Sequence, residues 1–225
     1  LNTINSEDKN IITIEDPIEY HLPGIRQMQV NPKVGLRFAD ALSAILRQDP
    51  DVIMVGEIRD LETAEMAIQA SLTGHMVLST LHTNDAPTAV TRLVDMGVEP
   101  FLLSSSISAV LAQRLVRVLC RYCKEEYTLI SQEGTPFGED APKILWKARG
   151  CERCFKTGYY GQTGIFEFMP MDQDMRTLIL KNSDSTTIKE YALSCGMKTL
   201  RDDGLEKVSS GITSLEEIIR VTQID

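Results

Sequence analysis

Short aliphatic runs alternate with helical stripes through the first half of the chain, the pattern of βα units around a parallel sheet. Ile11-Ile12-Thr13-Ile14 predicts a buried strand that stops at Glu15-Asp16-Pro17, because proline cannot continue it. After a loop holding Pro23-Gly24 and Pro32, the residues Phe38, Ala41, Leu42, Ile45 and Leu46 repeat at helical spacing and form one apolar face, which Asp49-Pro50 ends. A second strand, Val52-Ile53-Met54-Val55, runs into Gly56-Glu57. Asp60 is then placed to cap a helix carrying Leu61, Ala64, Ile68 and Leu72 and closed at Gly74. A third strand, Met76 to Leu81, ends at His82 and leads through Thr83-Asn84-Asp85 into a helix that closes at Gly97.

The pattern changes at Pro100. A long Ser- and Leu-rich helix is expected to lead into Arg114, Arg117, Cys120 and Cys123, followed by a loop with Gly134, Pro136, Gly138 and Pro142 that returns to Cys151 and Cys154. Gly158, Gly161 and Gly164 are expected to break the chain into turns before a strand at Ile165-Phe166-Glu167-Phe168. Beyond Pro170 the chain reads as short helices in a small bundle. The expected fold class is α/β: a mostly parallel sheet with helices, a four-cysteine insertion and a C-terminal helical part.

The composition sets bounds on this picture. The 225 residues are 43% hydrophobic and 24% charged, within the globular range. With 23 Lys and Arg against 32 Asp and Glu, the net charge is −9, so the broad positive field that nucleic-acid binding uses is absent. Apolar runs such as Val52–Val55 fall far short of the ~20 residues that cross a bilayer, and no basic segment with a long apolar stretch opens the chain, which reads as soluble and non-secreted.

Chemistry-bearing side chains stand at the carboxyl ends of the expected strands, where open parallel sheets gather their ligands. Glu15-Asp16, Glu57 and His82 each follow a strand. Singly, each reads as well as a solvated loop residue; together, carboxylates and an imidazole on one rim suit a Mg²⁺-nucleotide. His75 precedes the third strand and His82 follows it, roughly 20 Å apart along an extended chain. They cannot touch one ligand, which leaves His75 to packing or a subunit contact. Arg26, Arg37 and Arg59 are candidates to neutralise phosphate across a subunit boundary, against the ordinary alternative of solvated arginines.

The stretches Thr13-Ile14-Glu15-Asp16-Pro17-Ile18-Glu19-Tyr20, Leu46 to Asp60 with Val55-Gly56-Glu57-Ile58-Arg59, and Thr73-Gly74-His75 to His82-Thr83-Asn84-Asp85 resemble the Asp box, Walker B region and His box of the secretion ATPases that drive type II secretion and type IV pilus assembly. The resemblance continues through the cysteine pairs to Gly211-Ile212-Thr213-Ser214-Leu215-Glu216-Glu217 and so covers essentially the whole chain. It implies a RecA-like, homo-hexameric motor using ATP and Mg²⁺, cytoplasmic and peripheral to the bacterial inner membrane, where it engages the cytoplasmic domain of a platform protein. It further implies Glu57 as the catalytic Walker B carboxylate, Glu15 and Asp16 as acids near Mg²⁺ and water, and His82 near the terminal phosphate. Thr88 to Arg92 and Arg201 to Leu205 are slightly closer to the type II branch. The departure is the phosphate cradle: no Gly-x-x-x-x-Gly-Lys-[Ser/Thr] occurs, nor any Gly-Lys dipeptide. The expectation is a C-terminal piece of a longer motor, inactive by itself.

Four of the five cysteines form two Cys-x-x-Cys pairs, Cys120/Cys123 and Cys151/Cys154, whose thiolates can close around one Zn²⁺. Four buried free thiols and a redox pair are the weaker alternatives. Arg114, Arg117, Arg121 and Lys124 make a local basic cluster, diluted by Glu125, Glu126 and Glu152 and without an aromatic stacking array, so a structural zinc is preferred to a nucleic-acid module. Cys195 reads most simply as a buried thiol. The expected division is residues 1–116 as an ATPase core without its phosphate loop, 117–160 as the metal-binding part, and 161–225 as a returning strand and helical tail. The rival reading is a non-enzymatic, zinc-stabilised interaction module.

Overall fold

In the computed structural model, residues 1–128, 137 and 144–222 are described. The expected loop at Gly134, Pro136, Gly138 and Pro142 lies outside them. The chain forms two compact units, one of Leu1–Thr83, Thr88–Ser108 and Met171–Ile188, the other of Asn84–Pro87, Ala109–Pro170 and Lys189–Asp225.

The first unit is built on a four-stranded, wholly parallel sheet of β1 (Ile11–Glu15), β2 (Arg26–Gln29), β3 (Val52–Val55) and β4 (Met76–Ser79), in the order β2-β1-β3-β4. Its two central strands, β1 and β3, are the two continuous aliphatic runs of the sequence, because a strand covered on both faces has no polar side to present. Ile12, Ile14, Ile53 and Val55 pack against Leu42 and Ile45 of α1 (Phe38–Ile45) and Ala67 and Ala70 of α2 (Leu61–Leu72). A short 3-10 turn, Leu46–Gln48, and a left-handed Asp49 end α1. Asp60 caps α2 by accepting the Thr63 N–H at 2.8 Å.

Two edges differ from the sequence reading. Arg-Gln-Met-Gln of β2 has no apolar alternation and lies in the expected loop; pairing with β1, from Ile12↔Arg26 to Glu15↔Gln29, makes it a strand. β4 stops at Ser79 instead of Leu81, because its partner β3 runs out at Val55↔Ser79. The unit also holds α4 (Pro100–Ser106) and α5 (Gln173–Leu180); the Arg176 guanidinium bonds the carbonyls of Ser104 and Ile107.

In the second unit, β5 (Ala109–Leu119) and β8 (Tyr159–Pro170) form a long antiparallel pair from Ala109↔Pro170 to Leu119↔Tyr159. This corrects two expectations. The Ser- and Leu-rich helix is only the seven residues of α4, and the chain is already extended at Ala109. Gly161 and Gly164 lie within β8 and do not break it into turns. The partner strand lies some fifty residues away, so local periodicity could not report it. Against this pair pack α7 (Leu200–Ser209) and α8 (Leu215–Thr222), with Val116, Ile165, Leu205, Val208 and Ile218 buried between them. β6 (Glu125–Thr128) and β7 (Ile144–Lys147) form a second antiparallel pair in register Glu125↔Lys147. The helices α3 (Ala86–Asp95) and α6 (Ser185–Ser194) complete the described elements. Cys195, just past α6, is exposed, which overturns the buried-thiol expectation; it follows the exposed Leu193 and Ser194 on the outward side of the helix end, where its N–H bonds the Tyr191 carbonyl at 3.1 Å.

Candidate functional site

Glu15 closes β1, and Glu57 follows β3 by two residues. The turn that carries Glu57 is pinned on both sides: the Gly56 N–H donates to the Ile14 carbonyl at 2.7 Å, the Ile58 N–H to the Thr80 carbonyl at 3.0 Å, and the Thr80 hydroxyl to the Gly56 carbonyl at 2.6 Å. Glycine suits position 56 because a Cβ there would lie 3.1 Å from the Ile14 oxygen and 3.3 Å from the Glu15 Cα, a tight approach that the backbone would have to relieve. The chain is then captured by the Asp60 cap of α2, so only three residues separate the turn from a rigid helix.

The Glu57 carboxylate is 12% exposed, and its Oε2 meets Arg59 Nε at 2.6 Å and His82 Nε2 at 3.1 Å. The Arg59 hydrogen bond, with help from His82 and against the opposing cost of burial, holds the Glu57 carboxyl below the usual carboxylate range. Arg59 is raised by the same carboxylate and also feels the charge of Asp16. Arg59 and His82 are therefore brought together on the Glu57 carboxylate at the carboxyl ends of β3 and β4, and the charge of Asp16, after β1, acts on Arg59. Arg59 and His82 are both mostly exposed, so the cluster opens to solvent.

Glu15 is held separately on the same rim. Its Oε1 accepts from the Thr13 hydroxyl at 2.6 Å and from Gln27 Nε2 at 2.9 Å. Thr13 is fully buried and lies two residues before Glu15, on the same face of β1. The sequence reading missed Thr13 and Gln27; the period of two in β1 carried a signal for Thr13, but Gln27 belonged to a strand without a pattern of its own. His75 sits at the opposite end of β4, where Nδ1 lies 2.9 Å from the Ala70 carbonyl and 3.1 Å from the Thr73 hydroxyl at the end of α2. Arg37 pairs with Asp40 at 3.0 Å and Glu62 at 3.2 Å.

The second unit carries the four cysteines. The β6/β7 register brings both ends of the insertion together, which puts Cys123, just before β6, beside the return of the chain at Cys151. Each pair forms a tight turn closed by Cys123 N–H to Cys120 O at 3.1 Å and Cys154 N–H to Cys151 O at 3.2 Å. Gly150, at φ +104°, allows this return: a Cβ there would lie 2.5 Å from the Lys156 oxygen. The sulfurs of Cys151 and Cys154 are 3.7 Å apart, those of Cys123 and Cys154 3.8 Å, and those of Cys120 and Cys151 4.0 Å. A disulfide needs about 2.05 Å, whereas a tetrahedral four-thiolate ion with bonds of about 2.3 Å puts its sulfurs about 3.8 Å apart. All four ligand atoms lie within 4.8 Å of one another, and the donor set fits one metal ion. Burial raises the Cys123 thiol to about 12. At Cys154 the N–H groups of Cys151 and Gly158 overcome burial and lower the thiol to about 6. Those two donors, at 3.1 and 3.2 Å, also orient the Cys154 sulfur as a ligand.

Comparison with known proteins places these features. The model of the family described as Type II/IV secretion system protein matches residues 1–220. Over 225 residues the chain is 59% identical to a type II secretion system protein E of Pseudomonas aeruginosa, matching 99% of this chain and 45% of that protein. It is 53% identical over 226 residues to the type IV pilus assembly ATPase PilB of Thermus thermophilus, covering 99% of this chain and 25% of that one. Among solved structures, that of the pilus retraction motor PilT with bound ADP superposes with a TM-score of 0.71 at 29% identity, over 99% of this chain and 55% of the other. The chain thus spans less than half the length of these two curated relatives, and by the family match over residues 1–220 it belongs to the Type II/IV secretion system protein family.

Proposed function

We propose that this chain is the C-terminal catalytic portion of a hexameric ATPase that hydrolyses ATP to drive pseudopilus or pilus assembly and type II protein secretion. In this reading it works at the cytoplasmic face of the bacterial inner membrane, bound to the cytoplasmic domain of a platform protein. The observation that carries the proposal is the single cluster of Glu57, Asp16, Arg59 and His82 at the carboxyl ends of parallel strands, in a chain 59% identical to a type II secretion protein E.

Glu57 orients the attacking water. Its lowered pKa keeps it ionised, which suits a group that positions and polarises water more than one that must take up a proton early. Asp16 and Glu15 would hold Mg²⁺, which would supply positive charge against the phosphates of the nucleotide. Thr13 and Gln27 hold Glu15 in place. His82 and Arg59, released from Glu57, turn their exposed cationic or donor atoms toward the terminal phosphate. In the division of tasks, residues 1–116 carry hydrolysis, 117–160 bind a structural Zn²⁺ through Cys120, Cys123, Cys151 and Cys154, and 161–225 supply the returning strand and helical tail.

The test is Glu57→Gln in the full protein. The side chain keeps its shape and loses its charge, so ATP hydrolysis should fall by about 10² or more while ATP binding persists. Equal loss of binding and turnover would remove Glu57 from this role.

A further inference from the structure

Of the thirteen arginines of this acidic chain, Arg37, Arg59, Arg117, Arg149 and Arg220 pair with a carboxylate among the described residues. Arg121 and Arg153 make no ion pair among the described residues. Both lie instead on one phenol. The Arg153 guanidinium carbon is 4.0 Å from the centre of the Tyr122 ring and that of Arg121 is 4.7 Å, with Arg121 Nη2 donating to the Tyr122 hydroxyl at 2.6 Å. These residues, with Leu119 and Tyr160, line a surface hollow of about 490 Å³, and Tyr122 and Tyr160 are 54% and 70% exposed.

From this geometry we propose that the two cysteine turns build a docking site for an acidic segment of a partner protein, one carrying Asp or Glu beside an apolar residue. The proposal rests on the metal-centre reading, because Arg121-Tyr122 fills the gap of one Cys-x-x-Cys pair and Arg153 lies in the gap of the other. Four thiolates sharing one ion lock the two gaps side by side, so the recognition surface exists only while the metal is held. A planar guanidinium takes a carboxylate through two parallel hydrogen bonds; stacking over the Tyr122 ring leaves the Arg153 edge for one, while Arg121, whose Nη2 donates to the Tyr122 hydroxyl, offers its other N–H groups. The tyrosine rings supply apolar contact for the neighbouring residue. Two cations in a concave pocket are too few to track a phosphodiester backbone against a net charge of −9, and a hollow is poorly matched to a flat membrane.

The experiment uses the zinc-loaded full chain and fluorescence anisotropy with a labelled peptide of alternating Glu and Phe, its Gln-for-Glu counterpart serving as control. The acidic peptide should bind and the neutral one should not. The double variant Arg121→Ala/Arg153→Ala should bind at least about tenfold more weakly, with its zinc content unchanged by elemental analysis. Arg121→Lys/Arg153→Lys, which keeps the charge and loses the fork, should fall between. Equal affinity of wild type and the alanine double variant, with zinc retained, overturns the proposal. So does binding to phosphatidylglycerol vesicles that the acidic peptide does not displace, since the surface is then a lipid site. Removing zinc with a chelator should abolish peptide binding; unchanged binding after chelation overturns the dependence on metal. A chain that never carries zinc, read from the elemental analysis alone, defeats the metal-centre reading separately.

Discussion

Glu217 shows how one residue can couple strand, helix and pH. It is fully buried, yet it accepts from the Arg117 backbone at 3.0 Å and from the Arg117 and Arg220 guanidiniums at 2.6 Å each. Burial alone would raise its carboxyl, but the Arg220 and Arg117 contacts prevail and hold it at about 2. Because the folded pKa lies below the unfolded one, the stabilisation is complete above the usual carboxylate range near pH 4.5 and is lost as pH falls toward 2. Denaturation followed from pH 6 to pH 2 should show this loss. Glu217→Gln should cost about 3 kcal/mol at neutral pH by leaving two guanidiniums unpaired at a buried acceptor, and should flatten the acid limb. Glu57 is lowered by the same kind of guanidinium contact but is more open to solvent. Buried Glu217, which accepts four hydrogen bonds, is a structural lock, whereas Glu57, with an exposed arginine and an exposed histidine, can exchange partners.

At the scale of elements, what the sequence announced was what each element could bury alone. β1, β3, α1 and α2 each carry their own apolar run or stripe, and Asp60 and Gly74 mark the ends of α2. Asp60→Ala should cost about 1 kcal/mol, read from chemical denaturation, by leaving the Thr63 N–H without its acceptor. β2 and β5 were illegible for a shared reason, and of β8 only the stretch Ile165-Phe166-Glu167-Phe168 was legible as a strand. The polar β2 is a strand only because β1 pairs with it, and Ala109–Leu119 keeps outward-facing Leu111 and Leu115, which blur the alternation that would distinguish strand from helix. Pairing between distant segments decides such stretches, and it leaves little trace in local spacing.

At the scale of the molecule, the two units carry separate cores, one around Ile12, Ile53 and Leu42 and the other around Val116, Ile165 and Val208. The cysteine cluster gathers the end of β5, the start of β6 and the chain after β7, and a single ion held there would tie them in place of a larger apolar core. Elemental analysis should find about one Zn²⁺ per chain, and Cys151→Ser or chelation should release it and lower the melting temperature of the second unit. A metal-free, fully folded preparation would refute that. The 225 residues contain no Gly-Lys dipeptide, so they have no phosphate-cradling loop of the usual kind. Calorimetric titration of these residues alone with Mg-ATP should give millimolar affinity or weaker and negligible hydrolysis, because the rim offers carboxylates with only exposed cations to offset them. Micromolar affinity would place the phosphate site on another loop.

The sequence by itself determined the parallel core strands, the helices that cover them, the rim positions Glu15, Asp16, Glu57 and His82, and the two cysteine pairs. Each of these is a short-range pattern: an apolar run, a helical stripe, a cap, or a fixed spacing of ligands. Only the tertiary structure decided that Arg59 and His82 both meet Glu57, that Thr13 and Gln27 hold Glu15, and that Arg121 and Arg153 meet over one tyrosine. Those contacts depend on strand register and on turns that bring distant residues within a few ångströms. Register is set by long-range pairing, which no local window of sequence contains.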